Sequence, residues 1–220
     1  MHEESHPWGN YVPNGAKSII IGTFPPTLRN WSYDFFYPNK NNYFWRIMSR
    51  IADSPLQYFS GIEAVEERKN ILNRLGVGVS DMGKIIRRTD KNSSDENLEI
   101  VEYMDIFGIL EEKPSLRKII FTSSAGKSSA IGWFKSYLAL HGIAFHMPKG
   151  KRPLRTFVQL AGKNIETVLL YSTSARAGAA VSLDVLTELF RNEISVKKSV
   201  PHEEKRLSNN MGDKHLYANL

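Results

Sequence analysis

One segment of the chain combines asparagines with aromatic residues in a way that ordinary loops seldom do. It reads FFYPNKNNYFW, from Phe35 to Trp45. Aromatic faces stack on nucleobases, and an asparagine amide can hold a water molecule or bond a base edge. Phe36 is therefore a candidate for stacking and Asn42 for placing a water molecule. The alternative is that Phe44 and Trp45 are core residues and that Asn42 caps the following helix.

Two further segments follow apolar runs and could bind a phosphate. GTFPP spans Gly22 to Pro26, where the glycine permits a tight turn and the two prolines fix the backbone. STSAR spans Ser172 to Arg176, and small hydroxyl groups at the start of a helix can bind a phosphate together with backbone amides. Arg176 adds a positive charge or a side chain that could enter a base stack. Either segment could also be an ordinary turn or helix cap.

Other familiar kinds of site are absent or incomplete. The segment Ala125-Gly126-Lys127-Ser128 is close to a P-loop, but that motif requires glycine where this chain has Phe121. A P-loop NTPase is therefore not predicted, although Lys127 could still contact a phosphate. The chain has no cysteine, which excludes disulfides, thiolate zinc sites and cysteine nucleophiles. Its six histidines do not combine with carboxylates into a zinc-like pattern, and no GxSxG elbow occurs.

Alternating apolar runs and amphipathic segments predict the framework that positions these loops. Continuous apolar runs predict strands at 18–21, 116–121 and 167–171, with a weaker candidate at 143–146. Apolar residues at helical spacing predict helices at 43–52, 61–75, 128–141 and 181–193. We expect a three-layer α/β/α sandwich with a central, mostly parallel four-stranded sheet. Ligands of such sheets bind beyond the carboxyl ends of the strands, where the candidate segments lie.

Composition and charge narrow the class of protein. Residues 1–195 are predicted to form one domain, with a polar loop at 87–96 and a polar tail at 196–220. The 29 Lys and Arg against 23 Asp and Glu give a net charge of +6, which favours anionic partners such as nucleic acid. The acidic start does not resemble a signal peptide, and no apolar run approaches the ~20 residues of a membrane helix. We expect a soluble cytoplasmic protein.

Together, these segments resemble the uracil-DNA glycosylase superfamily, and most closely its hypoxanthine-DNA glycosylase-like branch. GTFPP is similar to the glycine-x-x-proline-glycine turn of that branch, FFYPNKNNYFW to its aromatic-proline-asparagine-x-Phe-Trp segment, and STSAR to its Ser-Thr-Ser-Pro motif. The fourth match has two parts, LGVGVSD at residues 75–81 and SSDENL at residues 93–98. The first part is similar to a strand of that branch that ends in aspartate, and the second is similar to the loop downstream of that strand. The matches occur in the order that the family has.

The resemblance implies an enzyme of base excision repair. It would flip a deaminated base, uracil or hypoxanthine, out of double-stranded DNA and hydrolyse its N-glycosidic bond. Asn42 would be the catalytic residue that positions the attacking water. The base would be bound by Phe24, Phe36 and Asp81. The DNA phosphates would be bound by Gly22, Thr23, Pro25, Ser172, Thr173, Ser174 and Arg176. The scheme requires no metal or cofactor, and the protein would act as a monomer on a damaged duplex.

Departures from the family pattern keep two other hypotheses open. Pro26 stands where the branch has glycine, Tyr171 where the best-known branches have histidine, and Ala175 where proline is usual. The asparagine segment is one residue longer than usual, so Asn41 is an alternative to Asn42 as the matched residue. These departures are compatible with a DNA-binding protein that has a glycosylase fold but no catalysis. The near P-loop is compatible with a phosphate-binding enzyme that acts on nucleotides.

Overall fold

Two sheets and five α-helices make up the part of the chain that the computed structural model describes, which is residues 2–90, 94–123, 125–174 and 181–194. The strands are β1 (His2–Ser5), β2 (Asn10–Tyr11), β3 (Ser18–Gly22), β4 (Val77–Asp81), β5 (Gly83–Arg88), β6 (Leu98–Tyr103), β7 (Lys118–Thr122), β8 (Leu154–Leu160) and β9 (Lys163–Leu170). The helices are α1 (Phe44–Ile51), α2 (Gly61–Leu75), α3 (Ile106–Glu112), α4 (Ala130–Leu140) and α5 (Leu183–Ile194). Arg176 and the predicted tail at 196–220 lie outside the described residues.

The larger sheet has six strands in the order β2–β4–β3–β7–β9–β8. Its four middle strands are parallel, and each edge strand runs antiparallel to its neighbour. The α/β class is therefore confirmed, whereas the predicted count of four strands was wrong, because the sheet is larger and mixed. Strand β8 was missed because most of its residues alternate between solvent and protein, unlike a continuous apolar run.

The fourth parallel strand is β4 and not the segment predicted at 143–146. That segment has no regular secondary structure, and its Phe145 packs into the core from an irregular stretch of chain. Strand β4 is buried along its whole length, but Gly78 and Ser80 keep its apolar content low. Gly78 also allows close packing, since a Cβ there would lie 2.9 Å from Val12 Cγ2. Burial, and not composition, defines this strand.

Helices cover both faces of the larger sheet and form three layers. Ile20 of β3 and Ile120 of β7 join the core under α1, α2 and α5. Their neighbours Ile19 and Ile119 join the core under α3 and α4 on the other face. Burial of apolar surface stabilises the fold by about 25 cal/mol per Å². Because the sheet is buried on both faces, it forms a stable support for the loops at its edge.

Four of the helices begin and end within two residues of the predicted bounds. The fifth, α3, was not predicted; it is short and begins after Asp105, whose Oδ1 accepts a hydrogen bond from Gly108 N at 2.9 Å. Ser129 caps α4 in the same way, accepting from Gly132 N at 3.2 Å. Within the described ranges, no helix has both the length and the apolar character needed to cross a membrane.

The smaller sheet, β1–β5–β6, brings the N-terminal segment beside the end of β4. Strand β1 pairs antiparallel with β5, and the His6 backbone N–H continues the ladder by donating to Lys84 O at 2.8 Å. Arg88 donates to both carboxylate oxygens of Glu4, at 2.7 and 2.9 Å. The loop predicted at 87–96 was therefore wrong at its start, where the chain still belongs to β5. This sheet carries His6 to the functional edge of the larger one.

Candidate active-site cavity

A cavity of about 790 Å³ opens at the carboxyl ends of the four parallel strands. Its walls include residues at or after the ends of β3, β4, β7 and β9, together with the asparagine-rich segment before α1. One lining residue can be named from each of these segments: Gly22, Asp81, Thr122, Ser172 and Asn42. They meet because parallel strands present their carboxyl ends at one edge of the sheet. The volume is in the range of small-molecule sites.

The segment Gly22–Pro26 forms one wall and is tied to the end of β4. Gly83 N donates a hydrogen bond to Thr23 O at 3.0 Å. A glycine is needed at the first position, because a Cβ on Gly22 would lie 2.3 Å from Asp81 Oδ1. All four residues that were singled out in this segment line the cavity: Gly22, Thr23, Phe24 and Pro25.

Asp81 is held by a histidine of the N-terminal segment. His6 Nε2 lies 2.9 Å from Asp81 Oδ2, while His6 Nδ1 accepts hydrogen bonds from Trp8 N at 3.2 Å and Gly9 N at 3.0 Å. Because Nδ1 acts as an acceptor, the proton of the ring lies on Nε2, which donates to Asp81. The His6 side chain is 1% exposed and that of Asp81 10%. Of this pair, only Asp81 lines the cavity.

Asp95, which had no predicted role, is a second carboxyl group of the cavity. Its Oδ1 accepts a hydrogen bond from the Thr23 hydroxyl at 2.9 Å. Burial raises the pKa of Asp95 to about 6, the Thr23 hydrogen bond opposes that rise, and the charge of Asp81 adds to it. Asp95 belongs to the loop matched by resemblance, but a single aspartate in a polar loop gives no further signal.

The described residues contain no group of three or more acidic or histidine side chains that could hold a metal ion.

Tyr37 is a further lining residue without an assigned role. Its ring stacks on Phe44, with ring centroids 3.7 Å apart and planes inclined by 11°, and its hydroxyl lies 3.2 Å from Thr122 Oγ1. Burial, and then the charge of Asp81, raise the pKa of the Tyr37 phenol, so that it keeps its proton. Its φ of 51° lies in the left-handed region, where few non-glycine residues occur. The Tyr33 hydroxyl holds this backbone by donating to Tyr37 O at 2.7 Å.

Phe36 does not line the cavity. It is 1% exposed and its ring packs against those of His6, Trp8 and Phe35, with centroids 5.5, 5.4 and 5.2 Å away. A ring enclosed in this way has no face for a base, so the predicted stacking role does not fit this position. The aromatic rings that line the described cavity belong to Trp8, Phe24 and Tyr37.

Asn42 lines the cavity and also holds the first turn of a helix. Its Oδ1 accepts a hydrogen bond at 2.9 Å from the N–H of Phe44, the first residue of α1. Phe44 and Trp45 are buried in the core, as the alternative interpretation expected. Asn41 lines the cavity too, and its backbone N–H donates to Asn39 Oδ1 at 2.9 Å. A carbonyl oxygen has two lone pairs, so the Asn42 amide can still accept a hydrogen bond from a water molecule.

Ser172, Thr173 and Ser174 form the opposite wall. Ser172 Oγ accepts from Ser174 N at 3.2 Å, and Thr173 O accepts from Tyr43 N at 2.9 Å. The second bond joins this loop to the asparagine-rich segment. The following helix, α5, begins only at Leu183, so these hydroxyl groups do not lie on its first turn.

The near P-loop segment reaches the same cavity. Gly126, Lys127 and Ser128 line it, and Lys127 is the only lysine or arginine among its described lining residues. The Ser129 hydroxyl donates to Gly126 O at 2.6 Å, which holds this turn against the start of α4. Gly132 makes the contact possible, since a Cβ there would lie 2.3 Å from Gly126 O.

Arg152 joins the ends of two strands beneath these loops. Its Nη1 donates to Ser123 O at 2.6 Å, just after β7, and to Leu170 O at 2.7 Å, at the end of β9. The guanidinium carbon lies 5.3 Å from the centre of the Tyr171 ring. The sequence offered no signal for this residue, because its partners are backbone carbonyls.

Comparison with known proteins bears on the fold. No family model matches the sequence, and no curated protein matches it. A solution NMR structure from Methanosarcina acetivorans, described as that of a "putative Uracil DNA glycosylase", is similar, with a TM-score of 0.53 and 20% sequence identity. The match covers 83% of this chain and 94% of that one. The chain therefore shares its α/β fold with that protein over most of both chains.

Proposed function

We propose that this protein is a DNA glycosylase of the uracil-DNA glycosylase superfamily that removes a deaminated base, uracil or hypoxanthine, from double-stranded DNA. One observation carries the proposal: segments from all four motif matches line a single cavity at the ends of parallel strands. Segments that follow parallel strands converge at one edge of the sheet in any such fold, so the support comes from the residue types that meet there: asparagines, carboxyl groups, aromatic rings and small hydroxyl groups. The shared fold with a protein described as a putative uracil DNA glycosylase supports the same conclusion.

In the proposed reaction, the damaged nucleotide leaves the base stack and enters the cavity. Asn42 Oδ1 accepts a hydrogen bond from a water molecule, which attacks the anomeric carbon as the bond to the base breaks. Positive charge develops on the sugar and negative charge on the base. Backbone N–H groups of the Gly22–Pro26 segment are assigned to the negative charge on the base, and Asp81 keeps its predicted role in base binding. The attacking water loses a proton to solvent, and the base, which leaves as an anion, takes up a proton from solvent at the ring nitrogen that was bonded to the sugar.

Stacking on the extruded base is assigned to the aromatic residues that line the cavity. Phe24 keeps its predicted role, while Trp8 and Tyr37 take the place of the enclosed Phe36. Stacking of a base on an aromatic ring is worth about 1–3 kcal/mol. That gain offsets part of the free energy needed to take the base out of the duplex.

The DNA phosphates are assigned to the rim of the cavity. The lining carries the carboxyl groups of Asp81, Asp95 and Glu96, which repel a phosphate. The Ser172 and Ser174 hydroxyl groups and the Lys127 ammonium group are the favourable contacts. Arg176 keeps its predicted role in the part of the chain outside the described residues.

Base release tests the proposal directly. Duplexes that carry uracil, hypoxanthine, xanthine or thymine opposite each normal base are incubated with excess protein, and abasic sites are revealed by cleavage of the strand in alkali. We expect cleavage of the uracil or hypoxanthine duplexes. No cleavage of any duplex would contradict the proposal.

Two variants of Asn42 separate catalysis from folding. Asn42→Ala removes both the water contact and the bond to Phe44 N, whereas Asn42→Asp keeps an oxygen for Phe44 N and changes the charge. We expect Asn42→Ala to lower the rate of base release at least ~100-fold, a loss of about 2.7 kcal/mol of transition-state stabilisation, with nearly unchanged DNA affinity. Asn42→Asp should lose less, because its carboxylate oxygens can still accept from the water molecule and from Phe44 N. Asn41→Ala tests the alternative match, and we expect it to leave the rate nearly unchanged. An unaffected rate in Asn42→Ala would exclude this residue from catalysis.

Two observations each favour another function. The Asn42 oxygen that should hold the water already accepts a bond from Phe44 N, as expected for a DNA-binding protein without catalysis. Damage-selective binding without base release would identify that case. Lys127 in the cavity favours an enzyme acting on nucleotides, for which nucleotide hydrolysis that is lost in Lys127→Ala would be the evidence.

A further inference from the structure

The positive charge of the chain is concentrated in one stretch of its sequence. Residues 113–165 contain ten Lys and Arg and no Asp or Glu, whereas the rest of the chain holds 19 Lys and Arg against 23 Asp and Glu. The stretch includes β7, α4, β8 and the start of β9, which belong to one half of the larger sheet and its attached segments. The net charge of +6 therefore comes entirely from this part of the molecule.

Near the amino end of β7, the basic groups of this stretch are bound by the protein itself. Lys118 Nζ lies 3.2 Å from a carboxylate oxygen of Glu166 and 3.1 Å from one of Glu193. Arg155 pairs with the same two carboxylates. These charges are balanced within the fold, so they contribute to its stability and not to a surface for an anion.

Three lysines near the carboxyl ends of the strands differ from these: Lys127, Lys149 and Lys151, here called the basic flank. Lys127 lines the cavity after β7. Lys149 and Lys151 precede β8, in a segment that Arg152 ties to the carbonyls at the ends of β7 and β9. All three lysines are exposed, and none forms a hydrogen bond or an ion pair with another residue in the described part of the chain.

The segment that carries Lys149 and Lys151 is anchored on both sides. Before it, Phe145 is buried and packs against Phe134, with ring centroids 5.2 Å apart. After it, Arg152 makes its two bonds to the strand ends. Because two residues of chain span at most about 7 Å, Lys149 and Lys151 lie within the rise of two nucleotides of one DNA strand.

The sign of the charge reverses across the cavity. Asp81 ends β4, and Asp95 is bonded to Thr23, which follows β3. These carboxyl groups belong to the other half of the sheet, on the far side of β3 from the basic flank. A phosphate is therefore repelled on the side of β3 and β4 and attracted on the side of β7 and β9.

We infer, on the basis of the proposed function, that the basic flank binds the phosphates of the DNA next to the extruded nucleotide, so that the duplex lies over the β7 and β9 side of the cavity. Unpaired ammonium groups at an exposed edge release counterions from DNA when they bind its phosphates. Lys149 and Lys151 thereby extend the contact of Lys127 along the strand. They belong to none of the segments that were singled out in the sequence.

Salt dependence of binding to an undamaged DNA duplex tests this surface without requiring catalysis. The double variant Lys149→Ala, Lys151→Ala is compared with the wild type by fluorescence anisotropy. We expect the slope of log affinity against log salt to lose about 1.8 in magnitude, the value for two phosphate contacts, and the affinity at 50 mM salt to fall at least ~tenfold.

A second double variant controls for the change in net charge. Lys17→Ala, Arg74→Ala removes the same charge from exposed residues just before β3 and at the end of α2, at the opposite edge of the sheet. We expect this variant to keep nearly the slope of the wild type. Both double variants should unfold at the urea concentration of the wild type, because the replaced side chains are exposed. Equal slopes for the two double variants would overturn the inference.

The outcomes also separate this inference from the proposed glycosylase activity. Release of uracil or hypoxanthine by a protein whose salt slope does not depend on Lys149 and Lys151 overturns the inference and leaves the proposed function intact. A slope that depends on these lysines, without release of any base, supports the surface and contradicts catalysis. No detectable binding of the duplex, together with no base release, overturns both.

Discussion

Two carboxyl groups of the cavity, Asp81 and Asp95, differ in their hydrogen-bond donors. Asp81 accepts from the Nε2–H of a buried histidine, and Asp95 accepts from the Thr23 hydroxyl. Burial raises the pKa of Asp95 to about 6, partly opposed by the Thr23 hydrogen bond, while the charge of Asp81 raises it further and that of Arg88 lowers it. Asp95 can therefore take up a proton at a pH at which ordinary carboxylates are ionised.

This shift predicts how stability depends on pH. The unfolded chain loses the Asp95 proton near pH 3.8, whereas the folded protein keeps it until about pH 6. Between these values the folded state binds more protons, so the contribution of Asp95 to the free energy of unfolding falls as the pH rises, by about 3 kcal/mol in all. Denaturant unfolding from pH 3.5 to 7 should show that Asp95→Asn gains stability relative to the wild type across this window. Glu111→Gln, at an exposed position of α3, is the control. Parallel profiles for Asp95→Asn and wild type would contradict the prediction.

At the level of elements, apolar sequence patterns predicted the strands whose sequences are continuously apolar and missed the strands whose sequences are not. Strands β3, β7 and β9 contain continuous apolar runs. Strand β4, which contains Gly78 and Ser80, was indicated only by the family resemblance and not by its apolar pattern. Strand β8 alternates and β1 reads His-Glu-Glu-Ser, so both depend on pairing with neighbouring strands. Most site residues were found because they follow predictable strands. The contact between His6 and Asp81 joins residues 75 positions apart through the unpredicted strand β1 and could not be inferred.

Arg152 illustrates how elements are held in register at the site. It binds the carbonyls of Ser123 and Leu170, which end β7 and β9, and thereby sets the spacing between the loops of Lys127 and Ser172. Arg152→Ala leaves both carbonyls without this donor, and we expect a loss of about 2–3 kcal/mol in the free energy of unfolding. Urea unfolding measures this, with the exposed neighbour Lys151→Ala as control.

The same variant should also impair function under conditions in which it is folded. The rate of base release should fall more than the DNA affinity, because catalysis depends on the relative position of the two loops. If Arg152→Ala were as stable as Lys151→Ala to within 0.5 kcal/mol, the proposed bridge between β7 and β9 would be wrong.

For the whole molecule, the charge of the chain and the charge of the cavity have opposite signs. The chain carries a net charge of +6, whereas the cavity lining contains Asp81, Asp95 and Glu96 against Lys127. Under the proposed function, the net positive charge would attract DNA over long range, and the acidic lining would repel phosphates and leave the interior to an uncharged base. This division predicts that affinity for DNA and selection of the base respond to different conditions.

DNA affinity should therefore fall steeply with salt, while the preference among bases should not. If three to five phosphates are bound, counterion release gives a slope of log affinity against log salt of about −2.7 to −4.5, which is a loss of roughly 40- to 500-fold between 50 and 200 mM. Fluorescence anisotropy with an undamaged duplex measures the slope. Lys127→Ala should reduce its magnitude by about 0.9, the value for one phosphate contact, whereas Lys135→Ala, on α4 but outside the described cavity lining, should not. Binding that does not depend on salt would contradict phosphate contacts at the rim, and equal slopes for the two lysine variants would remove Lys127 from them.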